Sequence, residues 1–74
     1  MSYQSENNKM SIEEVFHKYF RYYRDFGYDT GDCSRFIVSH VQIMNFNDKI
    51  LNLPDNYVDI IFKLAEDIKM SETA

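Results

Sequence analysis

Apolar residues near the start of the chain recur at spacings of three and four between positions 12 and 26. This spacing is typical of one buried face of an α-helix. Ser11 and Glu14 fit a capping box at its start, and Gly27 is suited to end it in a left-handed conformation. The pattern therefore predicts a first helix from Ser11 to Phe26. Its apolar positions are Ile12, Val15, Phe16, Tyr19, Phe20, Tyr22, Tyr23 and Phe26.

The stretch from Cys33 to Phe46 fits two structures. Its apolar residues fall on one helical face, with Thr30 or Asp32 expected as the cap. Its β-branched and aromatic residues also suit a strand, followed by a hairpin turn at residues 45–48. We favour the helix because strand alternation breaks at residues 36–38. The helical face would contain Cys33, Phe36, Ile37, His40, Val41 and Met44.

The last third of the chain predicts a third helix that ends near Met70. Asn47 is expected to cap a short turn through Leu51, and residues 53–55 are expected to open the helix, since proline suits a first helical turn. Its apolar positions cover more than half of the helix circumference. They are Tyr57, Val58, Ile60, Ile61, Leu64, Ala65 and Ile68.

Together these elements predict an all-α fold, a small three-helix bundle. The alternative is an α+β fold with a helix–hairpin–helix order. Residues 1–10 are mostly polar and are expected to form a flexible N-terminal tail, residues 11–70 a single helical domain, and residues 71–74 a C-terminal tail.

The size of this domain raises the question of how it is stabilised. A domain of about 60 residues has marginal stability unless a disulfide or a bound metal ion cross-links it. The single cysteine excludes a disulfide within the chain. Large core side chains or association with another chain must compensate. Because the predicted first and third helices carry more apolar surface than a small monomer needs, the pattern favours a homodimer or docking on a larger partner.

Charge and hydropathy limit the kinds of partner and the cellular compartment that can be expected. The net charge of −4 makes non-specific binding to DNA unfavourable and allows a basic protein partner. No apolar run reaches the ~18 residues of a membrane-spanning helix, so we expect no membrane partner. The lone cysteine and the absence of an export signal at the start predict a cytoplasmic protein.

Cations alternate with aromatic residues in the first helix, and this pattern gives the candidate binding residues Lys18, Arg21, Tyr22 and Arg24. Arg and Tyr are enriched in the hot spots of protein interfaces. The same residue types can also grip phosphates and stack on nucleic-acid bases. An ordinary solvated helix face is the third interpretation, with favourable pairs such as Glu14 and Lys18.

No catalytic, metal or cofactor site is predicted. Cys33 lies about 10 Å from His40 along one helix, too far for a nucleophile–base pair, and is best interpreted as a small buried residue. His40 is interpreted as a core histidine. Asp25 and Asp29 do not fit a calcium loop, because a glycine stands at the third ligand position in either register.

These observations predict a small cytoplasmic non-enzymatic protein that binds another protein as a regulator, adaptor or inhibitor. Its acidic, compact character is typical of regulators from phages and mobile elements. The alternative is a dimeric nucleic-acid-binding regulator, which the net negative charge disfavours.

Overall fold

A computed structural model describes residues 9–73, which form three helices that all pack against one another. They are α1 (Ile12–Asp25), α2 (Thr30–Phe46) and α3 (Tyr57–Thr73). Within residues 9–73 the sole extended pairing is an isolated bridge between Met10 and Ile50. The predicted three-helix bundle is confirmed. The hairpin alternative is wrong, because residues 33–46 are helical throughout.

Helix α1 begins and ends as its sequence predicts. The Glu14 amide donates to the Ser11 hydroxyl at 3.2 Å, and the Ser11 amide donates to the Glu14 carboxylate at 2.9 Å. These two bonds satisfy amides that have no partner within the helix. At the other end Gly27 takes a φ of 101°, and its amide donates to the Arg24 carbonyl. The capping box and the glycine terminator are both confirmed.

Helix α2 starts earlier than predicted. Its N-cap is Asp29, whose carboxylate accepts a hydrogen bond from the Asp32 amide at 2.9 Å. The expected cap at Thr30 or Asp32 is therefore wrong, and both residues lie inside the first turn. Three candidate caps stand within four positions here. Asp29 takes the role because its backbone is extended, as an N-cap requires.

The connection from α2 to α3 also differs from the prediction. Asn47 ends α2 instead of capping a new turn. The chain then passes Met10, whose amide donates to the Lys49 carbonyl at 3.0 Å while the Leu51 amide donates to the Met10 carbonyl at 2.9 Å. Of the predicted N-terminal tail, residues 1–8 lie outside the described residues. Met10 itself is fixed by this pairing.

Helix α3 is shifted towards the C-terminus relative to its prediction. Pro54 and Asp55 precede the helix, and the first backbone bond at its start joins the Ile60 amide to the Asn56 carbonyl. At the far end α3 continues to Thr73, past the predicted end at Met70. The predicted tail at residues 71–74 is helical as far as it is described.

The core lies where the three helices meet. Each helix contributes a fully buried large residue, namely Phe16 from α1, Ile37 from α2 and Ile61 from α3. Phe20 is buried beside Phe16, with ring centroids 5.1 Å apart. One side of each helix is thus buried, and the opposite side of α1 remains open to solvent.

Candidate functional site

The four residues predicted to bind a partner do not share one surface. Tyr22 and Arg24 are two positions apart on α1, and residues at that spacing point to different sides of a helix. Lys18 and Tyr22 are four apart and lie on one side. The structure therefore divides the predicted set into a group around Tyr22 and a separate position at Arg24.

Arg24 is engaged inside the molecule. Its guanidinium donates to the Glu72 carboxylate of α3 at 3.0 Å and to the Thr30 hydroxyl of α2 at 3.4 Å. It also lies 5.7 Å from the centroid of the Phe20 ring. Arg24 therefore links the ends of all three helices, a structural role that accounts for this cation.

Lys18 and Arg21 remain on the solvent side of α1. The Lys18 ammonium lies 5.4 Å from the centroid of the Tyr19 ring, at the distance of a cation–π contact. Within residues 9–73, Arg21 makes no ion pair closer than 4.0 Å. Both cations are thus available at the edge of the surface that carries Tyr22.

A connected set of aromatic rings covers this side of the molecule, from the C-terminal half of α1 to the start of α2. We call it the aromatic face. Its members are Tyr22, Tyr23, Phe26, Tyr28 and Phe36. Tyr22 lies 5.1 Å from Phe26 and 5.3 Å from Tyr23, between ring centroids. Phe36 lies 5.2 Å from Tyr23 and 4.9 Å from Tyr28. These separations are within the favourable range for aromatic pairs.

Four of the five rings are substantially exposed. The exposed fraction is 52% for Tyr22, 66% for Phe26, 42% for Tyr28 and 39% for Phe36. Tyr23 lies among them partly buried, and this burial, together with its neighbour Tyr22, raises the pKa of its phenol. The aromatic face is therefore a connected aromatic surface with a partly buried ring, Tyr23, at its centre.

The aromatic face continues along the groove between α1 and α2. The Tyr19 ring lies 6.2 Å from that of Tyr22 and 3.9 Å from the imidazole of His40. Partial burial, and then the nearby Lys18 ammonium, lower the pKa of His40. This shift favours the neutral form of the imidazole, which lies against Tyr19 at the border between the core and the surface.

Sequence reasoning missed the contribution of α2 to this surface. Phe36 was assigned to the buried face of the second helix, and this assignment is wrong, because the ring projects beside Tyr23 and Tyr28. The available signal was the excess of large apolar residues over what three short helices can bury. This excess predicts that some apolar residues are exposed, but it does not say which ones. The apolar face of a helix is wider than the strip that a neighbouring helix covers.

Cys33 is a buried free cysteine near the start of α2. Its side chain is fully buried, and the thiol donates to the Tyr28 carbonyl at 3.7 Å. Burial raises the pKa of the thiol, which disfavours the thiolate that a nucleophile requires. The interpretation of Cys33 as a small buried residue is confirmed.

The acidic residues before and within the first turn of α2 have structural partners. Asp29 caps α2, and Asp32 pairs with Arg35. Arg24, Tyr28 and Glu72 border a surface cavity of about 390 Å³ beside this loop. Within residues 9–73, no group of three His, Cys, Asp or Glu side chains is placed to hold a metal ion.

The apolar character of the helices and the comparisons with known proteins complete the description. None of the helices within residues 9–73 combines the length and the apolar character needed to cross a bilayer. The chain shows no match to any protein-family model, curated protein or solved structure.

Proposed function

We propose that this is a small, non-enzymatic cytoplasmic protein that binds another protein through the aromatic face and acts as a regulator, adaptor or inhibitor. The observation that carries the proposal is the connected set of exposed rings formed by Tyr22, Phe26, Tyr28 and Phe36. Monomeric proteins seldom leave so many adjoining aromatic rings in contact with water without a use for them.

The chemistry of the surface favours a protein as the partner. Tyr, Phe and Arg are enriched at the centres of protein interfaces, where large rigid side chains bury much area at a low cost in conformational entropy. Here the rings form the centre, and Lys18, Arg21 and Asp25 stand at the edge. An apolar centre with a charged rim is the usual plan of such an interface.

Nucleic acid is the alternative partner, because exposed rings beside Lys18 and Arg21 could stack on unpaired bases. The surrounding charge opposes it. The exposed Asp25 stands beside the aromatic face, and the whole chain carries a net charge of −4. Both disfavour the approach of a phosphate backbone.

The test is affinity capture from a lysate, with and without nuclease, using the parent and three variants. Tyr22→Ser and Phe26→Ser remove exposed rings of the aromatic face. Phe62→Ser is the matched control, since Phe62 is 42% exposed on α3, away from that face. We expect a protein that survives nuclease, is lost with either of the first two variants and is retained by the control.

Two results would contradict the proposal. Capture that disappears with nuclease would replace it with the nucleic-acid alternative. Capture that is unaffected by Tyr22→Ser and Phe26→Ser but lost with Phe62→Ser would move the binding surface to α3.

A further inference from the structure

We infer that the aromatic face is covered by a second copy of this chain, with the two α1 helices antiparallel and crossing next to Tyr22. In this arrangement Lys18 of each copy lies opposite Asp25 of the other. The inference rests on the proposed function and narrows it: the protein bound by the aromatic face is a second copy, and any regulatory contact with a different protein is left to the remaining surface of the dimer.

The first argument is the size of the surface. The four exposed rings are on average about half exposed, with fractions of 52%, 66%, 42% and 39%. At ~200 Å² for each ring, one copy offers about 400 Å² of aromatic surface and two copies about 800 Å². A standard interface of ~1,600 Å² in total is a little over half non-polar, so two copies supply roughly the apolar area that a stable dimer needs.

The second argument is the order of residues along α1. Lys18, Tyr22 and Asp25 are related as i, i+4 and i+7, so they form one line on the helix surface. Tyr22 lies near the middle of that line, which is about 10 Å long. When two antiparallel copies cross between positions 21 and 22, position 18 of one copy meets position 25 of the other. The same register places Arg21 over Tyr22 of the partner copy, a cation–π geometry.

The third argument is that neither of these two charges belongs to an ion pair within residues 9–73. The ion pairs within residues 9–73 are Lys9–Asp48, Arg24–Glu72 and Arg35–Asp32. Lys18 and Asp25 take part in none of them, and both are exposed. They stand at opposite ends of the exposed line on α1, with opposite signs.

This distribution of charge selects a second copy over a strongly charged partner. An acidic partner laid along α1 would meet the carboxylate of Asp25, and a basic partner would meet the ammonium of Lys18. An antiparallel copy of α1 meets an opposite charge at both ends. A two-fold interface repeats every contact, so each dimer contains this pair twice.

The experiment measures dimerisation of the parent and of two charge reversals by sedimentation velocity over a range of concentrations. Lys18→Glu places two acids opposite each other at both ends of the interface, and Asp25→Lys places two cations there. Each variant alone should dimerise about tenfold or more weakly than the parent, because attraction becomes repulsion twice. An equal mixture of the two variants should regain the affinity of the parent, because every facing pair is again of opposite sign.

Matched controls are Asp59→Lys and Lys63→Glu, which reverse exposed charges on α3 and should leave dimerisation unchanged. Tyr22→Ser should abolish the dimer. Circular dichroism of each variant checks that it is folded, and the rescue by mixing excludes unfolding as the cause of a loss.

A parent that stays monomeric at every concentration would overturn the inference, as would a dimer that neither charge reversal weakens or one that the mixture fails to restore. The proposed function is judged separately. If the parent is monomeric but Tyr22→Ser still abolishes capture of a different protein, the proposed function stands without the dimer. If the parent is monomeric and capture is also unaffected by the aromatic variants, both the dimer and the proposed function are wrong.

Discussion

Two pairs of aromatic rings, one within α1 and one that spans its C-terminal end, have the same separation and opposite surroundings. Phe16 and Phe20 lie 5.1 Å apart in the core, and Tyr22 and Phe26 lie 5.1 Å apart on the surface. Both pairs have the four-residue spacing of a helix face. Their fates differ because α2 and α3 cover one side of α1 and leave the other open. Helical spacing thus identifies rings that share a side, while the number and position of neighbouring helices decide which side is buried.

The largest expected effect is on the buried pair. Phe20→Ala should lower the free energy of unfolding by about 3 to 5 kcal/mol, because it removes a buried ring and leaves a cavity beside Phe16. A loss of that size would unfold most molecules of a domain this small. Phe26→Ala, in the exposed pair, should change the free energy of unfolding by less than about 0.5 kcal/mol. Equal shifts in melting temperature for the two variants would show that the two pairs do not differ in burial.

An intermediate effect is expected at the start of α2, which carries both the exposed Phe36 and the buried Ile37. Asp29→Ala removes the cap and should cost about 1 kcal/mol in urea unfolding. Asp32→Ala is the control, since the Asp32 amide would still donate to Asp29, and only the surface pair with Arg35 is lost. A larger loss for Asp32→Ala would mean that Asp29 does not set the start of this helix.

The smallest effect is expected at His40, on the border between the two environments. Its pKa is lower in the folded protein than its ordinary value, so the unfolded chain takes up a proton first as pH falls. The stability that depends on neutral His40 is complete above about pH 6.5 and is lost as pH falls from there through the lowered pKa. The groups that face it are the Lys18 ammonium and the Tyr19 ring.

The check compares thermal melts of the parent and His40→Phe, which keeps a ring against Tyr19 and cannot titrate. The parent should lose more melting temperature than the variant between about pH 7.5 and about pH 5.5. Parallel losses in the two proteins would show that acidic destabilisation arises elsewhere.

The fold could be predicted to the extent that it depends on local chemistry. The capping box at Ser11, the terminator at Gly27 and the helical period of residues 33–46 all act over a few residues, and each was found in the structure. The start of α2 was placed wrongly because Thr30 and Asp32 are equally good caps on local grounds. Its position follows from the path of the loop, which involves the packing of α2 on α1.

The candidate site was less predictable, because it joins residues from different elements. Lys18, Arg21 and Tyr22 could be identified from α1 alone. Tyr28 and Phe36 belong to the aromatic face only through the packing of α2 beside α1. Arg24 could not be separated from the other cations by sequence, since its carboxylate partner, Glu72, is distant in the chain.

The pairing of Met10 with the loop before α3 has a consequence for the order of folding. Met10 and Ile50 are separated by about 40 residues, so their bridge closes a long loop for only two backbone hydrogen bonds. The helices form from contacts within a few residues, and the entropy lost in closing that loop is recovered only after α1 and α2 have packed. We therefore expect the bridge to form after the helices have packed and to open before they separate, so that the start of α1 is held in place only by the folded bundle.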